Sequence, residues 1–192
     1  MSITDYLRGA ARDLERTATS GPVERVAPAI AAISAALAAN KPLLVCGNGG
    51  SASDAMHITG ELVGRFLKER RALNCICLSC NPAVLTAWSN DYSYDTVFSR
   101  QVEAYGAPGG VILGLSTSGN SANVVNAFKA GRALNMTTIG LTGEGGGAMA
   151  AASDILIDVP SRVTPAIQQI HLCLYHYICA EVENNLSAET AL

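Results

Sequence analysis

Two short segments rich in glycine and hydroxyl side chains carry the residue types that bind anions. They run from Cys46 to Ser51 (Cys-Gly-Asn-Gly-Gly-Ser) and from Ser116 to Ser121 (Ser-Thr-Ser-Gly-Asn-Ser). Each follows a β-prone run and precedes a helix-prone run, so each is expected to present backbone N–H groups at a helix N-terminus. The second has four hydroxyls within six residues and no lysine. The two segments therefore predict a phosphate-monoester site, with a sugar phosphate as the first candidate ligand.

A histidine and a glutamate follow the first of these segments at helical spacing. His57 and Glu61 lie four residues apart, which puts both side chains on one helix face about one turn (~6 Å) apart. Such a pair alone is usually an ordinary surface contact. A second cluster near the C-terminus contains Gln168, His171 and His176, so all three histidines of the chain belong to one of the two clusters. This distribution favours a shared functional site.

The spacing within the second cluster leaves two questions open. Gln168 and His176 point within about 80° of one another, but a straight helix separates them by ~12 Å. Either the helix is distorted or one of the two residues serves the site of a neighbouring subunit. His171 points roughly 140° away from His176. One of these two histidines is therefore expected to pack or to form a hydrogen bond elsewhere, and spacing does not say which.

The segments that must position these residues alternate between strand and helix patterns, which indicates a three-layer, doubly wound, parallel five-stranded sheet. Ligands bind beyond the carboxyl ends of such strands, where both glycine and serine segments lie. The predicted strands are Pro42 to Cys46, Cys75 to Ser79, Val111 to Leu115, Thr137 to Leu141 and Ile155 to Val159. The predicted helices between them are Ser51 to Leu67, Pro82 to Trp88, Tyr94 to Ala104, Ser121 to Leu134 and Gly147 to Ala152.

Three further helices flank the predicted sheet. A pair covers Ile3 to Ala18 and Pro22 to Ala39, and one long helix covers Val163 to Leu186. These helices offer more apolar surface than one subunit can cover, so a homo-oligomer is expected. No linker divides the chain, and we expect one domain over 1–192, with 1–40 as a helical extension and 41–192 as the sheet core and C-terminal helix.

Composition limits the partners of the chain. The 192 residues carry a net charge of -3 with 13 Lys and Arg, which argues against nucleic acid as a ligand. Charged residues occupy the N-terminus, and no segment approaches the roughly 20 apolar residues of a membrane span. We therefore expect no membrane partner and a cytoplasmic location. The six cysteines sit in apolar patterns and are expected to be reduced and mostly buried; Cys77 and Cys80 lack the second pair that a zinc site needs.

Six motifs occur in one order along the chain. They are Gly47-Asn48-Gly49-Gly50-Ser51, Asp54 to His57 with Glu61, Asn90-Asp91, Ser116 to Ser121, Leu141-Thr142-Gly143, and Ile167-Gln168 with His171 and His176. In this order they resemble the phosphoheptose isomerase family of the sugar isomerase (SIS) domain proteins. The resemblance implies the SIS fold, a homotetramer and the conversion of sedoheptulose 7-phosphate to D-glycero-D-manno-heptose 7-phosphate, the first step toward the heptose of bacterial lipopolysaccharide or capsule.

The resemblance also implies roles for individual residues. It makes His57, Glu61, Gln168 and His176 a zinc site, one per subunit, although other divalent transition metals suit the same donors. Glu61 and His176 become proton-transfer groups. The implied substrate contacts are Asn48, Gly49, Gly50, Ser51, Glu61, Asn90, Asp91, Ser116, Thr117, Ser118, Ser121 and Gln168. Arg65 is either a further contact or an ion-pair partner of Glu61.

The chain departs from the family pattern just before Gln168. Ala166 stands where the family often has Arg or Lys, Gln169 replaces a frequent Glu, and Pro165 stands where some members have an acidic residue. The remaining residues still fit aldose–ketose isomerisation, which needs a base, an acid and stabilisation of an enediolate. The alternatives are a non-catalytic SIS-domain sugar-phosphate sensor, a scaffold that binds the replication initiator, and an isomerase of another sugar phosphate.

Overall fold

The computed structural model describes residues 2–187, in which strands and helices alternate as predicted. The strands are β1 (Leu43–Gly47), β2 (Cys75–Cys77), β3 (Val111–Ser116), β4 (Thr137–Thr142) and β5 (Ile155–Asp158). The α-helices are α1 (Ile3–Ala18), α2 (Val26–Ala38), α3 (Gly50–Val63), α4 (Pro82–Asp91), α5 (Val97–Tyr105), α6 (Ala122–Ala133), α7 (Met149–Ala152) and α8 (Thr164–Ser187).

The five strands form one parallel sheet in the order β2-β1-β3-β4-β5. The direction of winding reverses between β1 and β3, so a crevice opens beyond the carboxyl ends of these two strands. The segment after β1 contains Gly49 and Gly50, and the segment after β3 contains Ser116 to Ser121. The topology therefore brings both predicted anion-binding segments to one crevice.

Alternate residues of the sheet face two separate cores. Leu43 and Val45 of β1 pack in the core formed with α2, α3 and α8. Leu44 and Cys46 point to the opposite face, into the core formed with α4, α5, α6 and α7. Helices cover both faces of the sheet, which explains why β1 is buried along its whole length. The predicted three-layer α/β class is confirmed.

Several predicted helix boundaries differ from the structure, and three of the differences have a local cause. The helix expected to reach Leu67 ends at Val63, because Gly64 is a poor helix former and the following backbone N–H groups bind a side chain of α8 instead. The helix expected from Tyr94 begins with a 3-10 turn at Tyr94–Thr96 before α5. The second N-terminal helix likewise begins with a 3-10 turn at Gly21–Arg25, which carries a proline in its first turn.

The cysteines are free thiols, as expected. Cys46, Cys75, Cys77 and Cys179 are buried, whereas Cys80 and Cys173 are exposed. Burial raises the pKa of the Cys46 thiol, and a buried, protonated thiol is a poor nucleophile and a poor metal ligand. Among residues 2–187, no helix has the length and apolar character needed to cross a bilayer.

Candidate active site

A cavity of about 290 Å³ lies in the crevice between the N-terminal ends of α3, α6 and α8. No lysine or arginine is among the described residues that line it, so an anion there would depend on neutral donors. In this part of the chain the N-cap residues Gly49 and Ser121 make no side-chain capping hydrogen bond to α3 and α6, although Asn123 accepts from the N–H of Val124 in α6. First-turn N–H groups that are left without a cap bind anions. The lining residues are Asn48, Gly49, Gly50, Ser51, Leu115, Ser116, Thr117, Ser118, Ser121, Thr164 and Gln168.

The serine hydroxyls of the second segment converge at this cavity. The Oγ atoms of Ser116 and Ser121 are 2.9 Å apart, and those of Ser116 and Ser118 are 3.4 Å apart. Ser116 is buried at the end of β3, and Ser121 precedes α6. Hydroxyls can reorient to donate to a ligand oxygen. The arrangement therefore provides several donors to one small anion.

Two glycines shape the other wall of the cavity. Gly49 has a φ of 57°, in the left-handed region that favours glycine. A Cβ atom on Gly50 would lie 2.5 Å from Nε2 of Gln168. Gly50 thus has no side chain because the carboxamide of Gln168 occupies that space. The sequence predicted that Gln168 contacts substrate, and its position on the cavity wall is compatible with that prediction.

Two residues that the sequence analysis missed hold Asn48 in place. Asn48 and Asn123 exchange hydrogen bonds between their carboxamides, with Nδ2 to Oδ1 distances of 2.9 and 3.0 Å. The hydroxyl of Tyr94 donates to Oδ1 of Asn48 at 2.7 Å. Asn123 is buried in the first turn of α6. An Asn two residues after the serine segment was the only sequence signal for this contact.

His57, Glu61 and His176 come together beside α3 and α8. One ligand atom from each lies within 4.8 Å of the other two, and Nε2 of His57 is 2.9 Å from Oε1 of Glu61. The imidazole centroids of His57 and His176 are 5.0 Å apart. Two imidazoles and a carboxylate are a donor set that divalent transition metals accept. The cluster is therefore a candidate metal site, the role that the family resemblance implies for these three residues.

Tyr175 and Asp54 surround His57 on its other side. The hydroxyl of Tyr175 lies 2.9 Å from Nδ1 of His57 and donates to Oδ1 of Asp54 at 3.4 Å. Burial raises the pKa of the Tyr175 phenol, and the nearby Asp54 carboxylate raises it further. Burial also raises the pKa of Asp54, although the hydrogen bond from Tyr175 and the proximity of His57 oppose the shift. The sequence analysis placed Asp54 in a motif without giving it a role, and it missed Tyr175.

A buried ion pair fixes the segment that follows α3. Glu183 of α8 accepts hydrogen bonds from the backbone N–H groups of residues 66–68 at 2.6 to 2.9 Å, and Arg70 lies 3.3 Å from the same carboxylate. Burial alone would raise the pKa of Glu183, but these N–H donors and Arg70 hold the pKa below its ordinary value. The ring of Phe66 then lies 5.7 Å from that of His176. This contact forms one wall of the cluster.

Arg65 does not pair with Glu61. Its guanidinium lies 3.2 Å from the carboxylate of Glu69, and both side chains are exposed. The expected i,i+4 pair with Glu61 required α3 to continue, but the helix ends at Val63. The carboxylate of Glu61 therefore stays available to the imidazole of His57.

Gln168 and His176 contact α3 at different positions along its axis. Gln168 contacts Gly50, the first residue of α3, and His176 contacts His57, seven residues later. These points are ~10 Å apart along a helix of regular rise. The α-helix α8 is continuous over Thr164–Ser187. A continuous helix argues against a distorted α8 and favours the other explanation, in which one of the two residues serves the site of a neighbouring subunit.

The remaining predicted residues lie away from the cavity lining. Asn90 and Asp91 are exposed at the end of α4, where the Asn90 amide donates to Oδ1 of Asp91 at 3.0 Å. Their role as substrate contacts stays a prediction. His171 is completely buried, and its Nε2 lies 3.2 Å from the carbonyl oxygen of Thr142. Burial lowers the pKa of His171 to about 4, so His171 is the packed member of the histidine pair.

Known proteins resemble this chain over most of its length. The family model described as SIS domain matches residues 5–143. A phosphoheptose isomerase of Rhodospirillum rubrum is 51% identical over 161 residues, which cover 84% of this chain and 86% of that protein. The phosphoheptose isomerase structure from Neisseria gonorrhoeae has a TM-score of 0.88 at 37% identity and covers 95% of this chain and 97% of its own.

A second solved structure agrees with the first. The phosphoheptose isomerase from Francisella tularensis has a TM-score of 0.90 at 34% identity and covers 95% of this chain and 96% of its own. Both the domain match and these relatives span the two anion-binding segments and the first histidine. The chain therefore belongs to the phosphoheptose isomerase family of the SIS-domain proteins.

Proposed function

We propose that this protein is an aldose–ketose isomerase that converts sedoheptulose 7-phosphate to D-glycero-D-manno-heptose 7-phosphate, in heptose biosynthesis for lipopolysaccharide or capsule. The observation that carries the proposal is that Glu61, His57 and His176 meet beside α3. The first turn of the same helix lines a hydroxyl-rich cavity. One helix thus connects a group able to move protons with a group able to hold a phosphate. The 51% identity to a phosphoheptose isomerase supports the same reaction.

The phosphate end of the substrate is assigned to the cavity. Ser116, Ser118 and Ser121 donate their hydroxyl protons to phosphate oxygens, and the N–H groups at the start of α3 and α6 add further donors. The partial positive charge of each helix N-terminus compensates the phosphate charge without a basic side chain. Asn48, Ser51, Thr117 and Gln168 complete the proposed contacts, and Asn90 with Asp91 remains a proposed contact to the sugar.

The length of the substrate agrees with the distance between the two parts of the site. Gly50 and His57 are separated by ~10 Å along α3. A heptose 7-phosphate carries its phosphate on C7 and reacts at C1 and C2, so its two functional ends are also far apart. A five-carbon ketose phosphate has a shorter chain between phosphate and carbonyl. This comparison favours the heptose over a pentose.

Proton transfer is assigned to Glu61 and His176. The Glu61 carboxylate takes a proton from C1 of the ketose and returns it to C2, which interconverts the two sugars through an enediolate. His176 carries a proton between the oxygens on C1 and C2. In this structure Nε2 of His57 lies 2.9 Å from Oε1 of Glu61, which keeps the carboxylate directed toward the cluster. A sensor or scaffold of this fold has no need for such a pair.

The metal in this proposal is Zn(II), one per subunit, held by His57, Glu61 and His176 with Gln168 as the fourth donor. When bound, the ion polarises the oxygens on C1 and C2 and stabilises their developing negative charge. Since Gln168 meets α3 about two turns from His57, the fourth donor of each site is assigned to Gln168 of a neighbouring subunit. Fe(II), Co(II) and Ni(II) accept the same nitrogen and oxygen donors.

We further propose that the protein acts as a cytoplasmic homotetramer of single-domain subunits. Large apolar side chains remain exposed on α1 and α8, including Ile3, Leu7 and Tyr177. An apolar groove of about 300 Å³ also lies between α2 and α8, next to Tyr177. Burying these surfaces between copies of the chain removes them from water. The assignment of Gln168 to the metal site of a neighbouring subunit also requires contact between copies of the chain.

The reaction is tested by incubating the zinc-loaded protein with sedoheptulose 7-phosphate, fructose 6-phosphate or ribulose 5-phosphate in deuterium oxide. We expect aldose formation and deuterium incorporation from the heptulose phosphate, and a loss of at least ~100-fold in kcat for Glu61→Gln. The matched control is Glu69→Gln, which changes an exposed glutamate just beyond α3. A parent protein that binds the sugar phosphate without turnover would identify a sensor and refute the proposal.

A further inference from the structure

The hydroxyl of Tyr175 stands between a metal-binding histidine and a carboxylate. It lies 2.9 Å from Nδ1 of His57 and 3.4 Å from Oδ1 of Asp54. Tyr175 has no exposed surface, so water does not compete for these contacts. Oδ2 of Asp54 is buried and has no hydrogen-bond partner among residues 2–187. The phenol therefore links the imidazole to the Asp54 carboxylate.

The number of protons in this chain of contacts restricts the direction of each hydrogen bond. A neutral imidazole carries one ring proton, and a phenol carries one hydroxyl proton. If Nδ1 of His57 is protonated, it donates to the phenol oxygen, and the phenol donates to Asp54. If Nδ1 is unprotonated, the phenol donates to it, and the proton on Nε2 points to Glu61 at 2.9 Å. Only the first arrangement leaves a lone pair on Nε2.

We propose that Tyr175, backed by Asp54, is a positioning residue that stabilises the metal-binding form of His57, in which Nδ1 carries the proton and Nε2 the lone pair. The inference rests on the metal site of the proposed function and assigns its supporting hydrogen bonds. With a metal held at Nε2 in place of the Glu61 contact, the ring proton would lie on Nδ1. The phenol would then donate its hydrogen bond to Asp54 and accept the hydrogen bond of Nδ1–H.

The ring of Tyr175 has a separate role that the test must preserve. Its edge packs against both imidazoles, with centroid distances of 5.4 Å to His57 and 5.0 Å to His176. Tyr175→Phe keeps this ring and removes only the hydroxyl. Tyr105→Phe is the matched control, because Tyr105 is 45% exposed at the end of α5 and takes no part in the cluster.

The first measurement is the affinity for Zn²⁺ alone, by competition with a chromophoric chelator. We expect Tyr175→Phe to lower the affinity by roughly 10- to 100-fold, the usual effect of losing a partner of a metal-bound histidine. Tyr105→Phe should match the parent within about twofold. Asp54→Asn should lower the affinity in the parent but change it little when combined with Tyr175→Phe, because Asp54 acts through the phenol.

The second measurement is the ¹⁵N and ¹H spectrum of histidine-labelled, zinc-loaded protein. The parent should show a slowly exchanging Nδ1 proton on His57, and Tyr175→Phe should show faster exchange of that proton. An unchanged Zn²⁺ affinity in Tyr175→Phe, or coordination of His57 through Nδ1, would refute the positioning role of Tyr175 while leaving the isomerase proposal intact. A parent that binds no Zn²⁺ would refute the metal site and the positioning role together. Thermal unfolding of the metal-free variants checks that they fold. If Tyr175→Phe does not fold, Asp54→Asn tests the same chain of hydrogen bonds.

Discussion

His171 gives this protein a predictable loss of stability in mild acid. Its imidazole is buried beside the carbonyl of Thr142, and burial lowers its pKa from 6.5 to about 4. The unfolded chain therefore binds a proton between these pH values that the folded protein does not bind. Stability must fall as the pH decreases through this range. From about pH 7 to about pH 4.5 the two pKa values give a loss of roughly 2.5 kcal/mol in unfolding free energy.

The assay is urea unfolding of metal-free protein at several pH values, comparing the parent with His171→Gln. The glutamine does not titrate and can still donate to the Thr142 carbonyl, so the variant should lack this part of the pH dependence. Carboxylates whose pKa values are lowered, such as Asp154 and Glu183, lose their contribution at lower pH and are shared by both proteins. Equal losses of unfolding free energy in parent and variant would refute the buried neutral imidazole.

Three other predictions concern binding, stability and assembly. Ser116→Ala and Ser121→Ala should each raise KM more than they lower kcat, by roughly 1 to 3 kcal/mol of binding; steady-state kinetics with unchanged KM in both would exclude these hydroxyls from the phosphate site. Glu183→Gln leaves Arg70 buried without its counter-charge and should cost about 3 to 5 kcal/mol in urea unfolding; a cost below about 1 kcal/mol would show that the pair is dispensable. Light scattering during dilution should show activity lost as the tetramer dissociates, and an active monomer would contradict the shared site.

Local patterns along the chain determined the fold class and the anion-binding segments. Short apolar runs alternated with helix-prone segments, and that alternation requires a parallel sheet with helices on both faces. In such a sheet the segments after β1 and β3 must emerge at the same edge. Helical spacing likewise determined that His57 and Glu61 share a face, since residues four apart always do so in a continuous helix.

The sequence did not decide which C-terminal histidine faces the cluster. His171 and His176 both fit the period of α8, and periodicity fixes only the angle between them. The choice came from packing. The first turns of α8 meet the end of β4, so His171 is buried against Thr142, while the later turns meet α3 and bring His176 to His57.

Only the tertiary structure showed which residues surround the cluster of His57, Glu61 and His176. The end of α3 depends on Glu183, which lies more than a hundred residues later and binds the N–H groups of residues 66–68. The sequence pattern gave no role to Tyr175, yet its hydroxyl reaches His57 and Asp54. These contacts join segments that are distant in the chain, and a local pattern carries no information about which distant groups will meet. Propensity and periodicity act within a few residues, whereas the partners of buried polar groups are set by how the helices dock on the sheet.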